Sequence, residues 1–401
     1  MKQFLKFVLA TITGIVLLFV LFIGFMMSIV ATAGKDKKPT IDPNSILVLD
    51  LNYQIPEKTV SNPFLFSGTS WSDLKPKKAI GLTEIQACIK KAKTDDNIKG
   101  IYLPLGINQN GFATLEVIRQ SLQDFRKSGK FVYAYGEVLS QKAYYLATAS
   151  DKIFLNPAGG MELNGFGREI MYYKGMFDKL GIEVQDFHCG AFKSAIEPFI
   201  RTNMSDPNRK QLMTIYGDIY NHFLTTISSD RKIDTATLDN IVNNLSAETP
   251  QKDKALHLID DDIYYDQVLD LMKDKTGTDK KKDLNSVELS KYATLLENTG
   301  TGSAKIAVVY AEGTIVDGDG GDDQIGGEKF AKLIRKLRRD DNIKAIVLRV
   351  NSPGGSALAS DVMWRELELA KKDKPLVVSF GDVAASGGYY ISCMGDRIFA
   401  E

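Results

Sequence analysis

The chain has 401 residues, enough for two domains, with 44% hydrophobic and 25% charged residues and a formal net charge of zero. That balance excludes the basic footprint of a nucleic-acid-binding protein. Three cysteines (Cys88, Cys189, Cys393) and three histidines (His188, His222, His257) are too scattered for a disulfide framework, a metal site or a histidine-based triad.

The N-terminus departs from this ordinary composition. Phe7 to Val30 carries no charge and follows Lys2 and Lys6, and it exceeds the roughly 20 residues needed to span a bilayer. Ala31-Thr32-Ala33 looks like a signal-peptidase site, yet a cleaved signal has an apolar core of only about 7–15 residues. Residues 1–33 are therefore expected to form an uncleaved transmembrane anchor, with Lys2 and Lys6 holding the short N-terminus in the cytoplasm.

From Ser45 the chain alternates. Strand Ile46–Leu51 is followed by a loop carrying Phe64, Phe66 and Trp71, and then by an amphipathic helix, Thr83 to Lys93. Strand Gly100–Leu105, helix Thr114–Lys127, strand Lys130–Tyr135, helix Gln141–Ala149 and strand Lys152–Leu155 come next. Such alternation predicts an α/β fold with a parallel sheet and right-handed crossover helices. A further strand is expected at Glu183–Phe187, a mainly helical region over 205–275, and a polar linker over 273–303.

The pattern then restarts. Asp340-Asp341-Asn342-Ile343-Lys344 repeats Asp95 to Lys99 at an offset of 245. Tyr389-Tyr390 falls on Tyr144-Tyr145 and Asp396-Arg397-Ile398-Phe399 on Asp151 to Phe154, and the opening strand recurs at Lys305 to Tyr310. This is a tandem duplication of a whole domain, giving a first copy over 45–272 and a second over 304–401. The second copy stops just after its equivalent of the Asp151 strand, so it is expected to be incomplete.

The copies differ where chemistry would sit. Asn351-Ser352-Pro353-Gly354-Gly355-Ser356 faces Gly106 to Gly111, and Ser386, in Gly381-Asp382-Val383-Ala384-Ala385-Ser386-Gly387-Gly388-Tyr389-Tyr390, faces Gln141. A serine at a strand-to-helix turn is either an N-cap or an accessible nucleophile beside free helix N–H groups. A purely structural Ser-Gly-Gly turn should persist in both copies, and its confinement to one favours the nucleophile. Without a histidine, the base would be a lysine kept neutral, where an ordinary lysine titrates near 10.4. Lys193, in Cys189-Gly190-Ala191-Phe192-Lys193-Ser194-Ala195-Ile196-Glu197-Pro198-Phe199, is the candidate set among apolar and small residues. On composition alone the better reading is a snorkelling surface lysine. Two other motifs are weaker. Asp317 to Asp323 with Glu328 lacks the glycine of a calcium loop and reads as an acidic loop, and His188 beside Cys189 would point to the opposite side of a strand.

Together, Asn351 to Ser356, Ala384-Ala385-Ser386-Gly387-Gly388-Tyr389 and Phe192-Lys193-Ser194-Ala195-Ile196-Glu197-Pro198-Phe199-Ile200-Arg201 resemble the long, duplicated form of the signal peptide peptidase A family, over nearly the whole chain. The resemblance implies tandem domains of the Clp/crotonase fold and a serine endopeptidase without a cofactor or metal, its Ser-Lys dyad split between copies. The nucleophile falls on Ser386 and the general base on Lys193. It also implies a homotetramer on the outer, periplasmic face of the inner membrane, degrading signal peptides left in the bilayer. Gly387 and the Gly354-Gly355 turn suit an oxyanion hole, with either Gly354 or Gly355 supplying the second N–H. The competing expectations are a crotonase-type acyl-CoA enzyme and an inactive membrane scaffold.

Overall fold

The computed structural model describes residues 2–33, 40–59, 79–296 and 302–400. The aromatic loop with Phe64, Phe66 and Trp71 lies outside the described residues, as do 297–301 of the expected linker. Two compact units emerge, residues 1–41 and 42–401.

The first unit is one helix, α1 (Lys2–Ala33), of 32 residues, roughly 48 Å long at 1.5 Å per residue. Phe7, Ile12, Ile15, Leu18 and Phe22 all stand exposed along it. Description of its side chains ends at Gly24. Among the described residues no helix is long and apolar enough to cross a membrane.

The second unit contains two large parallel sheets and a separate two-stranded one that pairs Thr314–Val316 with Gln324–Gly326. The first is built from β1 (Ser45–Val48), α2 (Leu82–Thr94), β2 (Ile98–Leu105), α3 (Phe112–Arg126), β3 (Phe131–Leu139), α4 (Gln141–Ala147) and β4 (Lys152–Met161). Short helices α5 (Lys174–Leu180) and α6 (Glu197–Ile200) lead into α7 (Asp206–Arg231), α8 (Thr235–Asn243), α9 (Pro250–Ala255), β5 (Asp261–Asp262), α10 (Tyr265–Thr276), β6 (Ser286–Glu288) and α11 (Leu289–Ala293). The second sheet follows with β7 (Lys305–Glu312), β8 (Thr314–Val316), β9 (Gln324–Gly326), α12 (Gly327–Arg339), β10 (Ile343–Ser352), α13 (Ala357–Asp373), β11 (Leu376–Ala384), α14 (Gly387–Ser392) and β12 (Arg397–Phe399).

The first sheet runs β5-β4-β3-β2-β1-β6 and the second β12-β11-β10-β7. Since β2, β3 and β4 stand 245 residues before β10, β11 and β12, the central strand order is the same in both. All described pairings are parallel. The crossover helices form for the reason their spacing predicts. In α2, Ile85, Cys88, Ile89 and Ala92 recur at helical period and are all buried, with Glu84 in the first turn and Lys91 and Lys93 in the last to oppose the helix dipole. Burial lifts the Cys88 thiol to about 12, so it acts as core filler. In the second sheet Ile346, Leu348 and Val350 pack with Phe330, Ile334, Met363 and Leu367 of α12 and α13. The aromatic face of the first sheet, Tyr102, Tyr133, Tyr135 and Phe154, is covered by Val268 and Met272 of α10. Ile306 and Val308 of β7 stand exposed.

Two expected features differ. Glu183–Phe187 is no strand: it runs on without a ladder partner, and Phe187 is 91% exposed. An extended segment becomes a strand only where a neighbour accepts its backbone hydrogen bonds. The polar stretch 273–303 is not a plain linker either. It completes α10, adds β6 beside β1, and buries Val287, Leu289 and Tyr292, whose hydroxyl donates to Asp95 Oδ2 at 2.9 Å. Three apolar anchors spread through a charged run give no periodicity to read.

One buried charge is uncompensated. Asp253 of α9 is 0% exposed, and among the described residues neither of its carboxylate oxygens finds a hydrogen-bond partner. Burial alone lifts its carboxyl to about 6. A raised folded-state pKa means that stability is lost as pH climbs from the ordinary carboxylate range through about 6. Asp253→Asn should therefore raise the melting temperature by at least about 3 °C at pH 7.5, with a clearly smaller gain at pH 4. Equal gains at both pH values in thermal melts would show that ionisation is not the cause.

Candidate active site

Ser386 lies two residues beyond β11, at the N-cap position of α14, with φ 50° and ψ −117°. Non-glycine residues avoid positive φ, and such strain collects where a side chain is aimed for a purpose. The Ser386 side chain makes no cap hydrogen bond, and the residue is exposed. The first sheet provides the contrast. There α4 is capped in the ordinary way: Ser140 has φ −67° and its hydroxyl accepts from Ala143 N–H at 3.3 Å. Ala385 stands at the position equivalent to Ser140. The second copy has thus given up the cap, and the hydroxyl one residue later turns outward. The N-cap reading of Ser386 fails on this geometry.

The glycine turn after β10 lies against this serine. Gly354 has φ 90°, and a Cβ there would come within 2.5 Å of Gly387 N and 2.9 Å of Ser386 Cβ. Only glycine permits that approach. Ser352, fully buried, holds the turn: its hydroxyl donates to Gly313 O at 2.6 Å and accepts Gly354 N–H at 3.1 Å. The turn is also stitched to β8, Ile315 N–H donating to Gly354 O at 3.0 Å and Ser356 N–H to Ile315 O at 2.9 Å. The Gly354 N–H is therefore committed. Those of Gly355 and Gly387 have no acceptor among the described residues. A strained, outward serine beside two unengaged N–H groups is suited to form a tetrahedral adduct and hold its oxyanion.

The corresponding place in the first copy is filled. Gln141, buried at the position of Ser386, accepts from Asn164 N–H and Gly165 N–H at 3.2 and 3.0 Å and donates to Gly165 O at 3.1 Å. Asn110, at the position of Gly355, accepts from Ile55 N–H at 2.8 Å and donates to Tyr53 O at 2.9 Å. Side-chain amides here plug what the glycines leave open.

Lys193 precedes a 3-10 turn, Ser194–Ile196, and is exposed. Among the described residues no hydrogen bond or ion pair links it to Ser386. It rides on a surface arm whose Met171, Met176, Leu180, Ile182, Phe187 and Phe192 are all exposed. His188 pairs with the carboxylate of Asp186 at 2.7 Å, and Cys189 is an exposed free thiol. In the acidic loop Asp317 accepts from Ser356 Oγ at 2.6 Å, and Lys332 lies 3.6 Å from both Asp319 and Glu328. Among the described residues no cluster of His, Cys, Asp and Glu has the spacing of a metal site.

Contacts from the segment of the first sheet brace β10 and β11, the strands that lead to Ser386, and composition gave no hint of them. Arg349 of β10 donates to Ser379 Oγ at 2.8 Å and to Phe380 O, and pairs with Glu57 of the first copy at 2.9 Å. Glu57 N–H donates to both carboxylate oxygens of Glu312 at 3.1 Å. Burial, with the Glu57 charge adding to it, raises the Glu312 carboxyl above its ordinary range. Glu57 lies more than 250 residues from both Glu312 and Arg349 in the chain, so no local pattern marks the contact.

Comparison with known proteins identifies the family. The family model of peptidase family S49 matches residues 124–279 and 368–401. The chain is 34% identical to Protease 4 of Haemophilus influenzae over 100% of its length, covering 68% of that protein. It is likewise 34% identical to Protease 4 of Salmonella typhi over 99% of its length, covering 66% of it. To the chloroplastic serine protease SPPA of Arabidopsis thaliana it is 34% identical over 80%, covering 48%. The chain thus spans about two thirds of the length of the first two relatives.

Gly354→Ala should force the two turns apart. Covalent labelling of Ser386 by a fluorophosphonate is expected to slow at least about tenfold, since displacements near 1 Å cost about a hundredfold, while far-UV circular dichroism stays native. Labelling at the parental rate would show that the close approach is unimportant.

Proposed function

The chain belongs to peptidase family S49, the family of the signal peptide peptidases A, and from that premise we propose that it is a membrane-anchored serine endopeptidase acting on released signal peptides and similar apolar segments. The observation that carries the proposal is the strained, uncapped, exposed Ser386 beside the unengaged N–H groups of Gly355 and Gly387. In this reading Ser386 Oγ attacks the scissile carbonyl and its proton passes to the neutral amine of Lys193. The oxyanion rests on Gly387 N–H and Gly355 N–H, with Gly354 setting the spacing. The protonated lysine then donates to the leaving amine, and water, deprotonated by the same lysine, hydrolyses the acyl-enzyme.

The two sheets, with their shared central strand order, are read as copies of one Clp/crotonase-like domain, one bringing the nucleophile and the other the base. Lys193 lies on an arm whose large apolar side chains are exposed, and exposed apolar surface of that kind marks a contact face. We take that face to be covered in a homotetramer, whose assembly sets the lysine against its serine. The uncharged run from Phe7 to Val30 supports a single-pass anchor in the inner membrane, with the catalytic copies on the periplasmic side.

Ser386→Ala should abolish peptide hydrolysis. Lys193→Met, which keeps the apolar stem and removes the base, should lower kcat/KM by about a hundredfold or more. The parental kcat/KM should rise with pH through a base ionisation that disappears in Lys193→Met. A Lys193→Met enzyme keeping both its rate and that limb would assign the base to another residue.

The anchor has its own test. After alkaline carbonate extraction of membranes, the intact chain should stay in the pellet with its original N-terminus. Full-length chain in the supernatant, or a mature N-terminus at Gly34, would contradict it.

A further inference from the structure

Four residues before the nucleophile, Asp382 of β11 reaches into the other copy. Its Oδ1 accepts Thr114 N–H at 3.0 Å and its Oδ2 accepts Thr114 Oγ at 2.7 Å. Thr114 lies in the first turn of α3, whose N-cap is Gly111 and which has no side-chain cap of its own. Asp382 therefore supplies, from 268 residues away, the carboxylate that a helix N-terminus calls for. Gly111 is fitted to this contact: a Cβ there would lie 2.1 Å from Asp382 Cγ, so any side chain would expel the carboxylate.

The geometry is that of a brace. β11 leads into the turn of Ser386, and within the strand Val383 N–H is held by Asn351 Oδ1 at 3.1 Å. Upstream, Arg349 fixes Ser379 and Phe380 to Glu57 of the first copy. Asp382 is the contact nearest the nucleophile among those made to the first copy. We propose that Asp382 is a positioning residue: by capping α3 it registers the Ser386 turn on the first copy and holds the strained serine at attack geometry. This rests on Ser386 being the nucleophile and adds that the non-nucleophilic copy serves as a rigid rest for it.

The test measures fluorophosphonate labelling of Ser386, kcat and KM on the full-chain protein. Asp382→Ala should slow labelling and lower kcat at least about tenfold while KM stays within about twofold. Asp382→Asn, whose amide oxygen still accepts Thr114 N–H, should recover part of that loss. Combining Asp382→Ala with Thr114→Val should be no worse than Asp382→Ala alone, because both remove one interaction. Asp234→Ala removes an ordinary cap, Asp234 Oδ1 to Thr237 N–H at 2.9 Å, and should leave labelling within about twofold. If Asp382→Ala does not fold, Asp382→Asn and Thr114→Val must still slow labelling at least about threefold with native melts. The proposal is overturned if Asp382→Ala labels at the parental rate, if Asp234→Ala slows labelling equally, or if the Asp382 and Thr114 losses simply add. Ser386→Ala distinguishes the failures. If it no longer labels while Asp382→Ala is normal, only the brace is lost, and if it still labels, the nucleophile assignment falls and takes the brace with it.

Discussion

The close approach of two turns governs this molecule. Gly354 must come so near Gly387 that a single methyl group would overlap its nitrogen, and Ser386 must accept a positive φ for that approach to happen. Such backbone strain persists only where the surroundings over-determine it. Here they do: the buried Ser352 hydroxyl holds the glycine turn from within, the short β8 strand clamps it from one side, and α14 packs behind it. The two turns are thereby fixed relative to one another, which is the preorganisation that the proposed electrostatic stabilisation of an oxyanion needs.

The second theme is charge buried between the copies. Glu57 is buried and meets the half-buried Arg349 and Glu312, and two polar atoms, Glu57 Oε1 and Arg349 Nη2, have no hydrogen-bond partner among the described residues. An arrangement of this kind adds little net stability, since desolvation offsets the attraction, but it punishes misplacement heavily. Its effect is registry. The strands that carry Ser352 and Ser386 are aligned to the first copy by groups that tolerate only one docking position, and Gly381 leaves room for it, a Cβ there lying 2.5 Å from Glu57 Oε1.

Duplication made this division of labour available. One copy keeps the ordinary solution at each equivalent point, a serine cap on α4 and amide side chains filling the turn. The other has Ala385 in place of the capping serine, the strained Ser386 in place of Gln141 and Gly355 in place of Asn110. The stability lost in the second copy is offset by resting it on a first copy that is conventionally packed, with the aromatic face of its sheet covered by α10.

Much of this was legible in the residues alone. Apolar runs bounded by helical periodicity located β2, β3, β4 and β7 and the crossover helices of the first sheet, because burial leaves a local pattern. The 245-residue offset predicted the strand order that both sheets share, and comparing the two segments drew attention to Ser386, whose backbone is strained. The sequence determined, then, which elements form and where chemistry departs from architecture. Tertiary structure decided the rest. That Ser386 is strained and uncapped, that Gly354 has already committed its N–H, that Glu183–Phe187 lacks a ladder partner and that Asp382 caps a helix of the other copy all depend on groups brought together from far apart in the chain. Hydrogen bonds and close approaches at such separations have no periodicity along a sequence, and only the folded backbone determines which of them are made.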